Sequence, residues 1–467
     1  MKKLVCVLLI IMMLLSLAAC TGKDEPAPTA IPDYTAVPAQ TQEARATDAA
    51  PESTAVPFPE QSAERAKYDP DTDADNRCTT TNSALIWGEG GFYWYSVGNS
   101  YLMYYDEGLE EMMPVCSKPE CEHIKDGNVW YQNKTCDAYL QANRNPSLYN
   151  GKLYYVDISD KMNPNINERG SFRIFRMEPD GTQKEYVKDV FTLGYDSPQW
   201  FIVHRGYLYA MSIDFTVVDG EPYSSSYILA VPLEGSETNF RILYERDGGS
   251  WGGVRFIGDN CYFYLRYSEG EYEEDENGEI IAEPVIGAVI GRINIEKNAM
   301  EILFDDFFPE GATLMEMWVD SAETVYAALS DGFYRLENSG FVKLFDFNDE
   351  KLSYYPHFIM DDMVIAYDTS YKGTPFMEAW IRRFDGSDIY KGSLSLDWLD
   401  ELKAGAEYEG VMCVIADGND IYCEYSVRWT TPNHQNEPKG TYLVRYTIED
   451  GEIEWKVLGS YYDKIMK

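Results

Sequence analysis

Gly151-Lys152-Leu153-Tyr154-Tyr155-Val156, then Phe172-Arg173-Ile174-Phe175-Arg176-Met177, closed by Pro179-Asp180-Gly181, is the stretch that decides the fold. Asn150-Gly151 opens it as a turn. Two short runs of aromatic and β-branched residues follow, and a second turn ends the unit. No helical period fits either run, so both read as strands. The same order recurs. Gly91-Phe-Tyr-Trp-Tyr precedes Tyr101-Leu-Met-Tyr-Tyr, and Gly206-Tyr-Leu-Tyr-Ala precedes Tyr227-Ile-Leu-Ala-Val. Asn260-Cys-Tyr-Phe-Tyr precedes Gly291-Arg-Ile-Asn-Ile, and Thr324-Val-Tyr-Ala-Ala precedes Gly332-Phe-Tyr-Arg-Leu. Asp362-Met-Val-Ile-Ala precedes Ala379-Trp-Ile-Arg-Arg, and Asp420-Ile-Tyr-Cys-Glu precedes Tyr442-Leu-Val-Arg-Tyr. Seven copies at intervals of roughly 40 to 60 residues, with about four strands each, predict propeller blades. A tandem pair of β-sandwiches would show strands without this recurring order. The expected fold is all-β: a β-propeller of seven four-stranded blades over residues 76–467, with a Cys-rich insert at 116–147.

The N-terminus has a different character. Lys2 and Lys3 precede an apolar run from Leu4 to Leu15, and Leu17-Ala18-Ala19 leads into Cys20. This is the layout of a signal peptide, and the run is shorter than the roughly 20 residues a spanning helix needs. The stretch is similar to the lipobox of bacterial lipoproteins. That resemblance implies cleavage after residue 19, lipid on the Cys20 thiol, and a chain held at the extracytoplasmic face of the cell membrane. Residues 20–75 are read as the lipidated cysteine and a disordered Ala/Pro/Thr-rich tether. Residues 21 to about 66 carry seven prolines, between 26 and 59, and have too little apolar surface to offset their ordering entropy. As a flexible coil, the stretch from 21 to about 66 has a reach of roughly 40 Å.

The 467-residue chain carries 78 acidic against 39 basic side chains, a formal charge of -39. Loss of Lys2 and Lys3 with the signal peptide takes it to -41. Such a surface repels nucleic acid and anionic headgroups, so no nucleic-acid partner is expected. Membrane contact is expected through the lipid alone. With 45% hydrophobic residues and 37 tyrosines, the mature chain can bury a large core.

Leu153-Tyr-Tyr-Val-Asp157 with Ile174-x-Arg176 and Pro179-Asp-Gly181 resembles the YWTD-type propeller repeat. The whole chain is similar to bacterial lipoproteins carrying an uncharacterised domain related to the low-density-lipoprotein-receptor propeller. Those proteins also tend to show a segment like Cys116-Ser-Lys-Pro-x-Cys121-x-His123. Trp-Thr is missing from every copy here. The resemblance therefore implies the fold and not the receptor's ligands.

Cys116, Cys121, His123 and Cys136 form the densest chemical cluster. Three thiolates and an imidazole make a complete tetrahedral set for a structural zinc ion. An exported chain equally permits disulfides among them, with Cys78 as a further thiol. Cys413 and Cys423 flank a turn and, if its loop has three residues, face each other as a second disulfide candidate. Cys261 reads as core. Asp69 to Asp75 alternates carboxylates but lacks the glycine and glutamate of an EF-hand, so a solvated loop is expected there. Glu271 to Glu279 reads as the tip of a long hairpin in the fourth blade. Trp130, Tyr131, Trp251 and Trp429 are the aromatic side chains placed in loops and the candidates for ligand contact.

No catalytic residue is assigned. There is no Gly-x-Ser-x-Gly elbow, the four histidines are scattered, and Glu245 to Trp251 matches a sialidase box poorly. The expected role is a binding or scaffold protein for an extracytoplasmic peptide, glycan or partner protein. The rival reading is a hydrolase acting on glycan or cell-wall material.

Overall fold

The computed structural model describes residues 67–462 except for short connecting stretches, of which 124–134, 159–170 and 430–438 are the longest. Seven four-stranded antiparallel sheets follow one another along the chain. They span 83–114, 147–191, 200–247, 249–307, 314–345, 354–394 and 406–462, here blades 1 to 7. Every blade is a simple meander. The fold is the expected seven-bladed propeller.

Each of the seven sequence copies is the middle hairpin of a blade, its second and third strands. In blade 2, Leu153 pairs with Met177 and Val156 with Ile174. In blade 4, Tyr262 pairs with Arg292 and Tyr264 with Ile290. Middle strands lie between two neighbouring sheets and bury both faces, so they read as near-continuous aromatic and aliphatic runs. Strand Asn260–Glu269 is buried at most positions, whereas the outer strand Glu185–Phe191 is largely half-buried or exposed. The first strands of neighbouring blades touch one another and ring the axis. Within a blade the first strand can lie close against the second. At Gly252, on the first strand of blade 4, a Cβ would lie 2.2 Å from the Tyr264 carbonyl oxygen and 2.5 Å from Leu265.

The ring closes without an exchanged strand. Blade 1 is built wholly from the N-terminal end of the propeller and blade 7 wholly from the C-terminal end. Side chains hold the seam. Buried Glu424 of blade 7 accepts from the Trp94 indole of blade 1 at 2.8 Å. The Tyr422 ring meets Phe92 edge-on at 5.5 Å, and Lys456 pairs with Glu110 at 2.7 Å.

Three expectations are corrected. The Cys413–Cys423 disulfide is excluded by register: Cys413 opposes Glu424, and Cys423 opposes Val414. The turn holds two residues, Gly418 and Asn419, which shifts the pairing by one. Cys423 is instead a buried core thiol, and burial pushes its pKa up to about 12. Trp429 is not a loop residue. It ends a strand, is buried, and packs against Tyr442. The third correction is the tether boundary. Asp69, Pro70 and Asp71 are exposed, as a solvated loop would be, but Asp73 and Ala74 are buried against the propeller and the chain from Thr72 to Arg77 is at least half-buried. The blade-4 hairpin does carry a two-stranded ribbon, Glu273–Glu274 with Ile280–Ala282, between its second and third strands. Cys261 is core, as expected. No helix among the described residues is long and apolar enough to cross a membrane.

Candidate metal centre and the axial mouth

The Cys-rich insert begins where the outer strand of blade 1 ends at Pro114. Lys118-Pro119-Glu120-Cys121 forms a turn in which the Cys121 amide donates to the Lys118 carbonyl at 3.1 Å. Proline preorganises its second position, and the turn swings Cys121 back toward Cys116. The chain returns through Cys136, whose carbonyl accepts the Tyr139 amide at 3.2 Å. Tyr139 then bridges to Tyr101 at the head of blade 1's third strand. The Ala138 carbonyl accepts the Leu102 amide at 2.8 Å. The insert is thus stitched to blade 1 at both ends.

These two turns bring four donors together. One ligand atom each from Cys116, Cys121, His123 and Cys136 lies within 4.8 Å of the others, and the group could hold a metal ion. His123 Nδ1 is 3.3 Å from the Cys136 sulfur. No disulfide joins Cys116, Cys121 and Cys136. Burial opposes ionisation of Cys116, but amide hydrogen bonds from Lys118 and Asp137, with hydrogen bonds from the Cys136 and Cys121 side chains, outweigh it and lower its pKa. Burial raises the pKa of Cys121 and holds Cys136 well above the ordinary thiol range. Asp137 orders the rim, accepting from Lys118 Nζ at 2.7 Å and from Ser117 Oγ at 3.3 Å.

The second feature lies at the axis. Residues 69–78 form a strap across the turns that join first and second strands. The Asp71 carbonyl accepts the Asn150 amide of blade 2 at 2.6 Å, and the Thr72 carbonyl accepts the Arg205 amide of blade 3 at 2.8 Å. Asn76 mimics a strand on blade 4: its amide donates to the Phe256 carbonyl at 2.9 Å, and its oxygen accepts the Phe256 amide at 2.7 Å. Arg77 is held by Asp75, reaches Asp417 of blade 7, and covers the Trp87 ring of blade 1 at 3.9 Å.

Arg205 and Gly206 form a tight two-residue turn, and both have positive φ, 43° and 80°. That conformation is unusual for arginine. Here it accompanies a bidentate contact with Asp73, at 2.5 and 2.9 Å. The third arm is Asp259 of blade 4, at 2.6 Å. His204 is buried beside them. Its Nδ1 accepts the Ala74 amide at 3.1 Å, and its Nε2 lies 2.7 Å from the Gly258 carbonyl. This fixes the neutral Nε2–H tautomer. Clefts of about 710 and 350 Å³ flank the strap, the first against Trp318 and Asp320 and the second against Trp87 and Leu148.

The structure therefore assembles Cys116, Cys121, His123 and Cys136. Trp429 is core. Trp251 lies on strand Gly249–Ile257, with its side chain outside the described residues. Trp130, Tyr131 and Cys20 also lie outside them, as does the side chain of Cys78. The strap was missed in the sequence. Its one local sign is an acidic, Asn-Arg-ended stretch lying directly before the first strand.

No protein-family model and no curated protein matches the chain. Among solved structures, prolyl oligopeptidase B from Galerina marginata aligns at 10% identity and TM-score 0.44, over 86% of this chain and 52% of that one. The β-propeller domain of the Trilobed protease from Pyrococcus furiosus aligns at 11% identity and TM-score 0.34, over 69% of this chain and 97% of that domain. An oligogalacturonate lyase from Vibrio parahaemolyticus aligns at 13% identity and TM-score 0.37, over 63% and 74% of the two chains. None of these likenesses bears on activity.

Proposed function

We propose that this chain is a lipid-anchored, extracytoplasmic binding or scaffold protein of the bacterial envelope, tethered through lipid on Cys20. It offers its propeller to a peptide, glycan or partner protein. The observation that supports this reading is the strap. Charged groups of the axial mouth that could serve chemistry are engaged by the chain itself: Arg205 by Asp73 and Asp259, and Arg77 by Asp75 and Asp417. Both nitrogens of His204 are used by backbone groups. Hydrolysis needs an acid and a base with access to substrate. The Cys3His cluster fits the same reading as a structural element, because four protein donors close a tetrahedral shell; zinc is the ion that these donors suit.

The soluble form, with residues 1–20 removed, is to be presented with cell-wall glycan fragments and peptide libraries. Saturable binding that returns the ligand chemically intact is the expected outcome. Release of cleaved product points to the hydrolase instead and overturns the scaffold reading. For the anchor, Cys20→Ala expressed in a bacterial host abolishes incorporation of an alkyne-tagged fatty acid and moves the protein out of the membrane fraction. Unchanged labelling would refute lipidation at Cys20.

A further inference from the structure

We propose that Cys116, Cys121, His123 and Cys136 bind one zinc ion as Zn(Cys)3(His), and that this ion pins the 116–147 insert onto the rim of blade 1 beside blade 2. The proposal rests on the structural reading of the cluster given above and adds what the ion does.

Three observations converge on it. The first is geometry. Zinc–sulfur bonds of about 2.3 Å put sulfurs of a tetrahedral shell about 3.8 Å apart, and the four donors already lie within 4.8 Å of one another. A disulfide between any two of the cysteines would leave the third beside the imidazole without a role. The second is the backbone. The Lys118 amide donates to the sulfur of Cys116, and the Ala138 amide to that of Cys136. In both, the donor sits two residues after the cysteine. Hydrogen bonds of this kind orient metal ligands. The third is charge. Zinc with three thiolates carries a net charge of -1. Lys118 interacts electrostatically with Cys116 and Cys121, and Lys184 of blade 2 with Cys136. Lys184 also donates to the Tyr139 carbonyl at 3.4 Å and lies over the Tyr155 ring at 5.0 Å. The counter-charge thus comes partly from the neighbouring blade.

The mechanical consequence follows from connectivity. Cys116 and Cys136 bracket a stretch of chain whose described ends are tied to blade 1 by few backbone bonds. A metal bridging both ends closes that loop in the folded chain, and because the unfolded chain holds no such site its binding free energy adds to folding. Four protein ligands leave no position for substrate, so the ion is structural.

The wild-type protein, purified without chelators, is the sample. Metal analysis is expected to give one zinc per chain, and cobalt substitution to give the intense visible bands of a tetrahedral thiolate site. Removing zinc with a strong chelator is expected to open the insert to trypsin at Lys125 and Lys134, with protection restored by zinc. Zinc-supplemented protein that binds neither metal, or a two-hydrogen mass deficit marking a disulfide among these cysteines, overturns the zinc assignment. A tightly bound zinc whose removal leaves the tryptic pattern unchanged overturns the pinning and leaves the assignment standing. Cys121→Ser and His123→Asn are expected to lose the ion. Because the decisive arms use the wild-type chain, a misfolded variant cannot obscure the result.

Discussion

Arg205→Met destabilises the propeller by about 3 to 5 kcal/mol, the scale measured when one partner of a buried ion pair is removed. Arg205 is the shared counter-ion of two carboxylates whose side chains are only 4% and 8% exposed, Asp73 on the strap and Asp259 on blade 4. Its loss takes from both acids the cation that they share. Methionine keeps most of the side-chain bulk, so the measured loss is electrostatic rather than a cavity effect. Chemical denaturation reads the magnitude. Hydrogen exchange locates it, because the Arg205 and Asn150 amides that bond the strap are expected to lose protection first. Removing Asp73 as well, as Asp73→Leu with Arg205→Met, recovers part of the loss. If the single variant matches wild type within about 0.5 kcal/mol, the ordinary range for a surface substitution, the strap does not hold the ring.

The second large effect is a dependence on pH carried by His204. Burial lowers its pKa to about 4, against an unperturbed value near 6.5, with Asp73 and Asp259 opposing the shift and Arg205 reinforcing it. In that window the unfolded chain takes up a proton and the folded chain does not. The stability due to neutral His204 is therefore fully present above about pH 6.5 and is lost as pH falls toward 4. The loss is about 3 kcal/mol, at 1.36 kcal/mol per pKa unit. Structure gives the cause. Protonating Nδ1 would set a proton against the Ala74 N–H that it now accepts. His204→Gln retains an acceptor and a donor and does not titrate, so its stability falls less steeply over this range. Parallel curves for the variant and wild type would show that His204 makes no such contribution.

Much of the fold was legible because it is carried by local pattern. The middle strands bury both faces, so their aromatic runs survive in sequence as seven countable copies. Tight turns such as Asn150-Gly151 declare themselves through residues that tolerate positive φ. Register across a hairpin was not so legible. Cys413 and Cys423 part company because the turn has two residues instead of three, a distinction that Gly418 alone does not make. Trp429 misled for a related reason: a strand end and a loop look alike when the next residues are Thr430, Thr431 and Pro432. The four metal-type donors were readable as residue types and spacing, but their convergence depends on the Pro119 turn and the Tyr101–Tyr139 bridge. The strap was least legible. Asp73 meets Arg205, and Arg77 meets Asp417, over sequence separations of 132 and 340, and nothing near either residue encodes its partner.

The strap also determines how the molecule would answer tension. A propeller held by a strand at one edge of a sheet is unzipped one hydrogen bond at a time when that strand is pulled. Here a pull from the N-terminal side would reach residues 69–78 before any blade. Their bonds run to Asn150, Arg205, Phe256 and Asp417, on four different blades. Those attachments would have to share the strain, so a tug on the stem would be spread around the hub before it could peel blade 1.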